Sequence, residues 1–164
     1  NLAADAPVIG LAQIQDNRGN DEAGMIGGLK VTAGQDMMAY IQGSLKKDLY
    51  SKGFNVVDAP NPAQLKTVEL NNIFKNNVIL PVLQSASIGT ADSSLFPAKA
   101  DINFVVKVYD PTGKALYEKA IHGEKSQYLG IIFSTKKPAE VLAEAADNAV
   151  KDLINDAKFV ESLK

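Results

Sequence analysis

The sequence contains no cysteine and no tryptophan, and it has a single histidine, His122. Without cysteine, this chain forms no disulfide and offers no thiolate as a nucleophile or metal ligand. A serine triad or a histidine-based acid–base pair would therefore have to use His122. No serine stands in a Gly-x-Ser-x-Gly elbow, and the glycines fit neither a dinucleotide-binding fingerprint nor a P-loop. We expect a protein that is not an enzyme and that uses no cofactor.

An excess of charge is also missing. The chain has 17 Lys and Arg against 19 Asp and Glu, which gives a formal net charge of -2. A charge this small steers polyanions weakly. Arg18 is the one arginine, so no cluster of guanidinium groups exists to bind phosphates, and nucleic acid is not an expected partner. No apolar run approaches the roughly 20 residues that a membrane-spanning helix requires.

The composition is that of an ordinary folded domain. Of the 164 residues, 46% are hydrophobic and 22% are charged, which is typical of globular proteins and not of disordered chains. The sequence shows no internal repeat and no stretch that resembles a linker between domains. We therefore predict one domain over residues 1–164.

Five segments have the pattern of regular β-strands, and a sixth is shorter and irregular. Residues 7–15 begin with apolar side chains on both faces, which is typical of an interior strand. Residues 100–109 alternate most clearly between apolar and polar side chains. The turn formers at residues 110–113 predict that residues 114–129 return antiparallel. The other predicted strands are residues 54–58 and 65–74, with a shorter and irregular one at residues 25–31.

Two segments have the periodicity of amphipathic helices. The spacing of Thr32 and Gln35 is that of a capping box and predicts the start of the first helix, and Gly53 suits its left-handed C-terminal cap. Its apolar stripe consists of Met38, Ile41, Leu45 and Leu49. The second helix is predicted over residues 138–159, which contain no internal glycine or proline.

These elements predict the fold class. The order is β-α-β-β-β-β-α, ending in a hairpin and a long helix. Such an order favours an α/β fold of the two-layer (α+β) kind, in which two helices pack on one face of a single mixed sheet of about five strands.

Residues 76–99 form an apolar insert that contains no Lys or Arg before Lys99. Long loops in compact domains often carry function, and apolar side chains that stay exposed there would mark a contact with a partner. The alternative is an added strand and a loop that covers the core. The candidate binding residues in this insert are Ile79, Leu80, Val82, Leu83, Leu95 and Phe96.

His122 is the one side chain whose surroundings suggest chemistry. Strand alternation places it on the same face as Glu118 and Glu124, an arrangement that suggests a metal site or an acid–base pair. The usual zinc sites need a second or third nitrogen or sulfur ligand, which this sequence lacks. We interpret His122 as a half-exposed strand histidine between carboxylates, and we expect no metal.

Three stretches resemble the YajG family of bacterial lipoproteins: DNRG at residues 16–19, SKGFNVV at residues 51–57 and KADINFVVKVYD at residues 99–110. The resemblance covers most of the chain and contains no catalytic signature. The pair Asp16 and Arg18 is the nearest thing to a family motif. We interpret it as an ion pair that closes the first strand, with ligand binding as the alternative.

The resemblance implies an exported protein in the periplasm, anchored to the outer membrane through a lipidated N-terminal cysteine. This sequence departs from the family in its insert at residues 76–99 and in lacking that cysteine, so we expect the signal peptide and the lipidated residue to lie outside it.

The sequence leaves three candidate functions. The first is an envelope lipoprotein that binds another envelope protein or assists assembly, with homo-oligomerisation as a further possibility. Its alternative is an auxiliary lipoprotein of an ABC-type lipid transport system that binds a lipid or a transporter partner, an analogy at the level of fold. The third is a hydrolase that uses His122 with nearby carboxylates, which the scarcity of catalytic groups disfavours.

Overall fold

The structure is a computed structural model that describes residues 2–26, 29–62, 75–90, 97–129 and 136–164. The strands are β1 (Val8–Ala12), β2 (Gln15–Asp16), β3 (Glu22–Ile26), β4 (Leu29–Thr32), β5 (Asn55–Ala59), β6 (Val78–Thr90), β7 (Ala98–Tyr109) and β8 (Ala115–Gln127). The helices in the described ranges are α1 (Gln35–Ser51), α2 (Lys136–Asn155) and α3 (Ala157–Ser162). None of these helices is long and apolar enough to cross a membrane.

The main sheet is mixed and has the order β5-β1-β6-β7-β8. β1 lies between β5 and β6 and is parallel to both, whereas β6, β7 and β8 are antiparallel neighbours. After a two-residue break, β2 continues the line of β1 along β6. The strands β3 and β4 form a separate hairpin that packs against β6. The mixed sheet and the interior position of the first strand are therefore confirmed.

The helices cover one face of the sheet. α2 packs on β7 and β8, and α1 packs on α2 and β5. On β7, every second side chain faces the helices and is buried: Ala98, Ala100, Ile102, Phe104, Val106 and Val108. These residues share one core cluster with the helices and the β3-β4 hairpin. A second buried cluster, on the opposite face, consists of Ala12, Val78, Leu80 and Val82. The two-layer α+β prediction is confirmed.

The apolar stripe of α1 is buried as predicted, but the predicted cap is wrong. Met38, Ile41, Leu45 and Leu49 are all buried. Thr32 is the last residue of β4, so its side chain is not at the helix start; Gly34 occupies the capping position and supplies no side-chain hydrogen bond. The predicted end is confirmed, since Lys52 caps the helix and Gly53 follows with φ +92°.

The second predicted helix is broken near its end. Asp156 leaves the helical conformation between α2 and α3, and its carboxylate accepts a hydrogen bond from the backbone N–H of Lys158 at 2.9 Å. This cap competes with helix continuation. The break also lets Phe159 pack edge-on against Tyr117, with ring centroids 5.4 Å apart, and become fully buried.

One glycine sets the distance between the two layers. A Cβ added to Gly123 on β8 would lie 2.0 Å from the carbonyl oxygen of Ala145 and 2.8 Å from the Cβ of Ala149. Because no side chain fits there, β8 and α2 approach more closely than a strand and a helix ordinarily do.

The structure decides between the two interpretations of residues 76–99 for the described part of that segment. Residues 78–90 are the strand β6, which pairs with both β1 and β7, as the alternative of an added strand proposed. The predicted strand at residues 65–74 lies outside the described residues.

Candidate functional site

The loop between β2 and β3 is held by Arg18. Its Nε and one Nη donate to the two carboxylate oxygens of Asp16, at 2.9 and 2.8 Å. The same Nη also donates to the carbonyl oxygen of Ala33, just before α1. The side chain of Arg18 is only 7% exposed, so this two-pronged ion pair is better shielded than an ordinary surface pair.

The polar groups of this ion pair are not equally well satisfied. Hydrogen bonding to Arg18 is the main reason why the pKa of Asp16 lies below its ordinary value, with partial burial opposing it. The second Nη of Arg18 is buried and has no hydrogen-bond acceptor among the described residues. A buried donor without a partner costs about 1–3 kcal/mol, so the geometry of this loop is maintained against a local penalty.

Backbone hydrogen bonds fasten the same loop to its neighbours. The N–H of Ala33 donates to Asp21 at 2.7 Å, and the N–H of Asn17 donates to Leu83 on β6 at 3.0 Å. The side chain of Asn20 accepts from the N–H of Glu22 at 2.9 Å. The Asp16 and Arg18 pair therefore organises a fixed loop at the start of α1, in agreement with its interpretation as a structural ion pair.

An open groove of about 580 Å³ lies next to this loop. We call it the hairpin groove; it runs between β4, the first turns of α1 and the first turns of α2. Its polar lining includes Lys30, Asp36 and Glu140, and its apolar lining includes Met37 and Ala143. One wall is β4, which pairs with β3 on one side in the two-stranded sheet. The groove thus combines charges of both signs with the edge of a short strand.

A second open groove, of about 590 Å³, lies between α1, β1 and β5. On its wall, the Gln42 side chain donates to the carbonyl oxygen of Ala12 at 3.0 Å and accepts from the N–H of Ile14 at 3.2 Å. These bonds replace strand pairing at the break between β1 and β2. Lys46 and Asp58 form an ion pair across the groove at 2.6 Å.

The four predicted apolar binding residues that the structure describes do not form a surface. Ile79, Leu80, Val82 and Leu83 lie in β6 and are between 0% and 4% exposed. Ile79 and Leu83 face the helices, whereas Leu80 and Val82 belong to the cluster on the opposite face. A strand that is buried on both faces needs a continuous apolar sequence, and this explains the pattern that suggested a patch. Leu95 and Phe96 lie outside the described residues.

The structure places His122 in a cluster that the sequence only partly indicated. On the face away from the helices, its Nε2 lies 3.2 Å from an Asp101 oxygen and 3.6 Å from a Glu124 oxygen. Glu118 was the other predicted neighbour, but it lies opposite Lys107, further along β8. Alternation indicated Glu124, whereas Asp101 was missed because it reaches His122 from the neighbouring strand.

Lys99 places a positive charge beside the two carboxylates of this cluster. Its Nζ lies 3.4 Å from Glu124 and 3.9 Å from Asp101. Lys99 is the main reason why the pKa of Glu124 lies below its ordinary value, with His122 contributing.

The interior between the helices and the sheet is nearly filled. The apolar cavity under α1 and α2, lined by Leu45, Phe104 and Leu153 among others, measures about 10 Å³. Pockets for small organic ligands usually measure about 300–1,000 Å³. In the described parts of the chain, this interior therefore has no room for a lipid.

This architecture, a mixed sheet with helices on one face and a fixed loop before α1, is an α+β fold that occurs in bacterial proteins, among them lipoproteins. No protein-family model matches the sequence, and no curated protein does. A solved structure of a DUF330 protein from Xanthomonas campestris is similar, with a TM-score of 0.63 and 10% identity over 98% of this chain and 91% of that one.

Two other solved structures share the fold. A minor lipoprotein from Acinetobacter baumannii has a TM-score of 0.57 and 7% identity, and 95% of each chain is covered. A hypothetical protein from Chlamydia trachomatis has a TM-score of 0.51 and 14% identity, over 94% of this chain and 92% of that one. At these identities the likeness establishes the fold and no activity.

Proposed function

We propose that this chain is the non-catalytic periplasmic domain of a lipoprotein anchored to the outer membrane, and that it binds an extended segment of another envelope protein in the hairpin groove. The observation that carries the proposal is the contrast between an open groove of about 580 Å³ and a nearly solid interior. A small ligand is normally enclosed, whereas a protein segment lies along an open groove.

The wall formed by β4 indicates how such a segment would bind. Within the described ranges β4 pairs only with β3, and a strand edge without a neighbour presents backbone groups with which an extended peptide can pair. The hydrogen bonds from Arg18 to Ala33 and from Ala33 to Asp21 hold the end of β4 in place. Because this wall is ordered before binding, this chain would lose little conformational entropy on forming the complex.

The lipoprotein part of the proposal is supported by the sequence resemblance and by the fold shared with the Acinetobacter baumannii lipoprotein. The full-length protein is expected in the outer-membrane fraction, and external protease should reach it only after the outer membrane has been permeabilised. Recovery in the cytoplasmic fraction would contradict this assignment.

Photocrosslinking in intact cells tests the groove. The crosslinking amino acid p-benzoylphenylalanine replaces either Tyr40, which lines the hairpin groove, or Tyr50, near the other end of the same helix. The two tyrosines are similarly exposed, at 45% and 50%, so they form a matched pair. We expect a discrete protein adduct from position 40 and not from position 50.

The other outcomes are equally informative. Equal adducts at both positions, or none at position 40 in a folded and correctly localised variant, would contradict the proposal. A lipid adduct at position 40 would favour the lipid-transport alternative instead, and an adduct with a second copy of the chain would indicate a homo-oligomer.

A further inference from the structure

The cluster around His122 is built by the register of two strands. Residue pairs in the β7-β8 ladder place Asp101 opposite Glu124 and Asn103 opposite His122. All four side chains lie on the face away from α2, because the alternate residues Ile102 and Gly123 point towards the helix. The two strands thus bring one imidazole and two carboxylates together at a single exposed point.

Hydrogen bonds fix the orientation of the imidazole. The Asn103 amide donates through Nδ2 to the Ser85 hydroxyl at 2.9 Å, and its Oδ1 lies 2.8 Å from Nδ1 of His122. An amide oxygen only accepts, so Nδ1 must carry the proton. In the neutral ring, Nε2 then presents its lone pair to the oxygens of Asp101 and Glu124. Three acceptors meet at this point, and an added cation would stabilise them.

The separations fit a small metal ion. Zinc binds histidine nitrogen and carboxylate oxygen at about 2.0–2.2 Å, so neighbouring ligands of a tetrahedral ion lie about 3.3–3.6 Å apart. Nε2 of His122 lies 3.2 Å from Asp101 and 3.6 Å from Glu124, and all three ligand atoms lie within 4.8 Å of one another. A metal-binding histidine usually donates its other ring N–H to an oxygen acceptor that fixes the ring, and the Asn103 Oδ1 occupies that position here.

We propose that Asp101, His122 and Glu124 form a surface site for Zn²⁺ or a similar divalent transition metal. This inference revises the expectation, drawn from the sequence, that His122 holds no metal. Imidazole favours such ions over Mg²⁺ and Ca²⁺, which prefer an all-oxygen shell. Three protein ligands leave at least one position open, and the exposure of His122, 47% of its side chain, lets water or a group from a partner fill it.

Lys99 offers a test of the proposed metal site. Its ammonium group lies 3.4 Å from Glu124 and 3.9 Å from Asp101, so in the metal-free protein it supplies the positive charge that the carboxylates attract. Metal binding must displace this group. Removing the charge with Lys99→Gln should therefore tighten Zn²⁺ binding by about 2-fold to 5-fold, since a surface charge interaction of up to ~1 kcal/mol no longer competes.

Zinc titration of the untagged protein tests the site, with Zn²⁺ alone as the ligand. His122 is the sole histidine and there is no cysteine, so the imidazole ¹⁵N signals report on one residue without overlap. We expect Zn²⁺ to shift Nε2 saturably while Nδ1 stays protonated. In calorimetry, His122→Ala, Asp101→Asn and Glu124→Gln should each weaken binding by at least about 10-fold.

The control is Glu118→Gln, which removes a carboxylate from the same face of the same strand, opposite Lys107, and should leave zinc affinity unchanged. Asn103→Ala should weaken binding by about 10-fold or more, and Asn103→Asp should restore it, because a carboxylate supports Nδ1–H equally well. These substitutions are at the surface, and circular dichroism confirms folding.

Two results would overturn the proposal. One is zinc affinity that survives in His122→Ala, since carboxylates elsewhere would then be the ligands. The other is coordination through Nδ1, or no shift of either nitrogen at millimolar Zn²⁺. Neither result bears on the hairpin groove, so the two proposals fail independently.

Discussion

Replacing Gly123 by alanine tests the close approach of β8 to α2. The new Cβ would lie 2.0 Å from the carbonyl oxygen of Ala145, so α2 would have to move away from the sheet by more than 1 Å to restore an ordinary contact. Overpacking of this kind costs about 1–3 kcal/mol. The loss of glycine's flexibility in the unfolded chain offsets about 0.5–1 kcal/mol of that cost.

Because the obstacle is a backbone oxygen at 2.0 Å, the strain lies at the upper end of that range, and the net destabilisation is about 2–2.5 kcal/mol. At about 2–4 °C per kcal/mol, it lowers the melting temperature by roughly 4–10 °C. Urea unfolding followed by circular dichroism measures the free energy directly. Gly89→Ala on β6 is the matched control, because beyond its chain neighbours no atom of the described residues lies within 4 Å of its added Cβ; it should be neutral or stabilising by up to about 1 kcal/mol. The reasoning is refuted if Gly123→Ala is as stable as the wild type, or if both variants change alike.

Two further predictions concern polar contacts. Hydrogen bonding to Lys119 is the main reason why the pKa of Asp156 falls to about 2, below the unfolded value of about 3.9, so its contribution to stability is present above pH ~4 and is lost as the pH falls towards 2. Asp156→Asn keeps a capping side chain but removes the charge. Its melting temperature should therefore lie below that of the wild type at pH 6, and the difference should disappear towards pH 2. A difference of the same size at both pH values would contradict the lowered pKa of Asp156. Gln42→Leu removes both hydrogen bonds at the break after β1 and should cost about 1–3 kcal/mol in urea unfolding. Gln42→Glu keeps the acceptor for the N–H of Ile14 and should cost less; equal losses would show that this retained bond from Ile14 contributes nothing.

Local pattern predicted most of the fold because the elements concerned bury one face. The stripe of α1 and the alternation of β7 each follow from a single periodicity, and both are confirmed. Thr32 shows where the local pattern failed. Its spacing to Gln35 is that of a capping box, but Thr32 pairs with β3 and is therefore the last residue of the strand β4. Tertiary pairing overrode the helix-start signal, and no feature of residues 32–35 alone could have indicated it.

The position of β6 shows a different limit. A short apolar run is compatible with a buried strand or with an exposed binding loop, and composition does not distinguish the two. The decision depends on neighbours, here β1 on one side and β7 on the other. The candidate patch of Ile79, Leu80, Val82 and Leu83 was therefore an interpretation that only the sheet topology could test.

The His122 cluster depends on the register between β7 and β8, which the sequence does not reveal. The turn after β7 pairs Tyr109 with Ala115, and continuing that register without interruption would place His122 opposite Ile102, whose side chain is in the core. A register shift between Val108 and Tyr109 moves the pairing by one residue, so that His122 instead lies opposite Asn103, on the same face as Asp101 two residues away along β7. A shift of one residue exchanges the two faces of a strand. In this sequence the metal site therefore requires this irregularity, because pairing of the same residues without it would turn the imidazole towards α2.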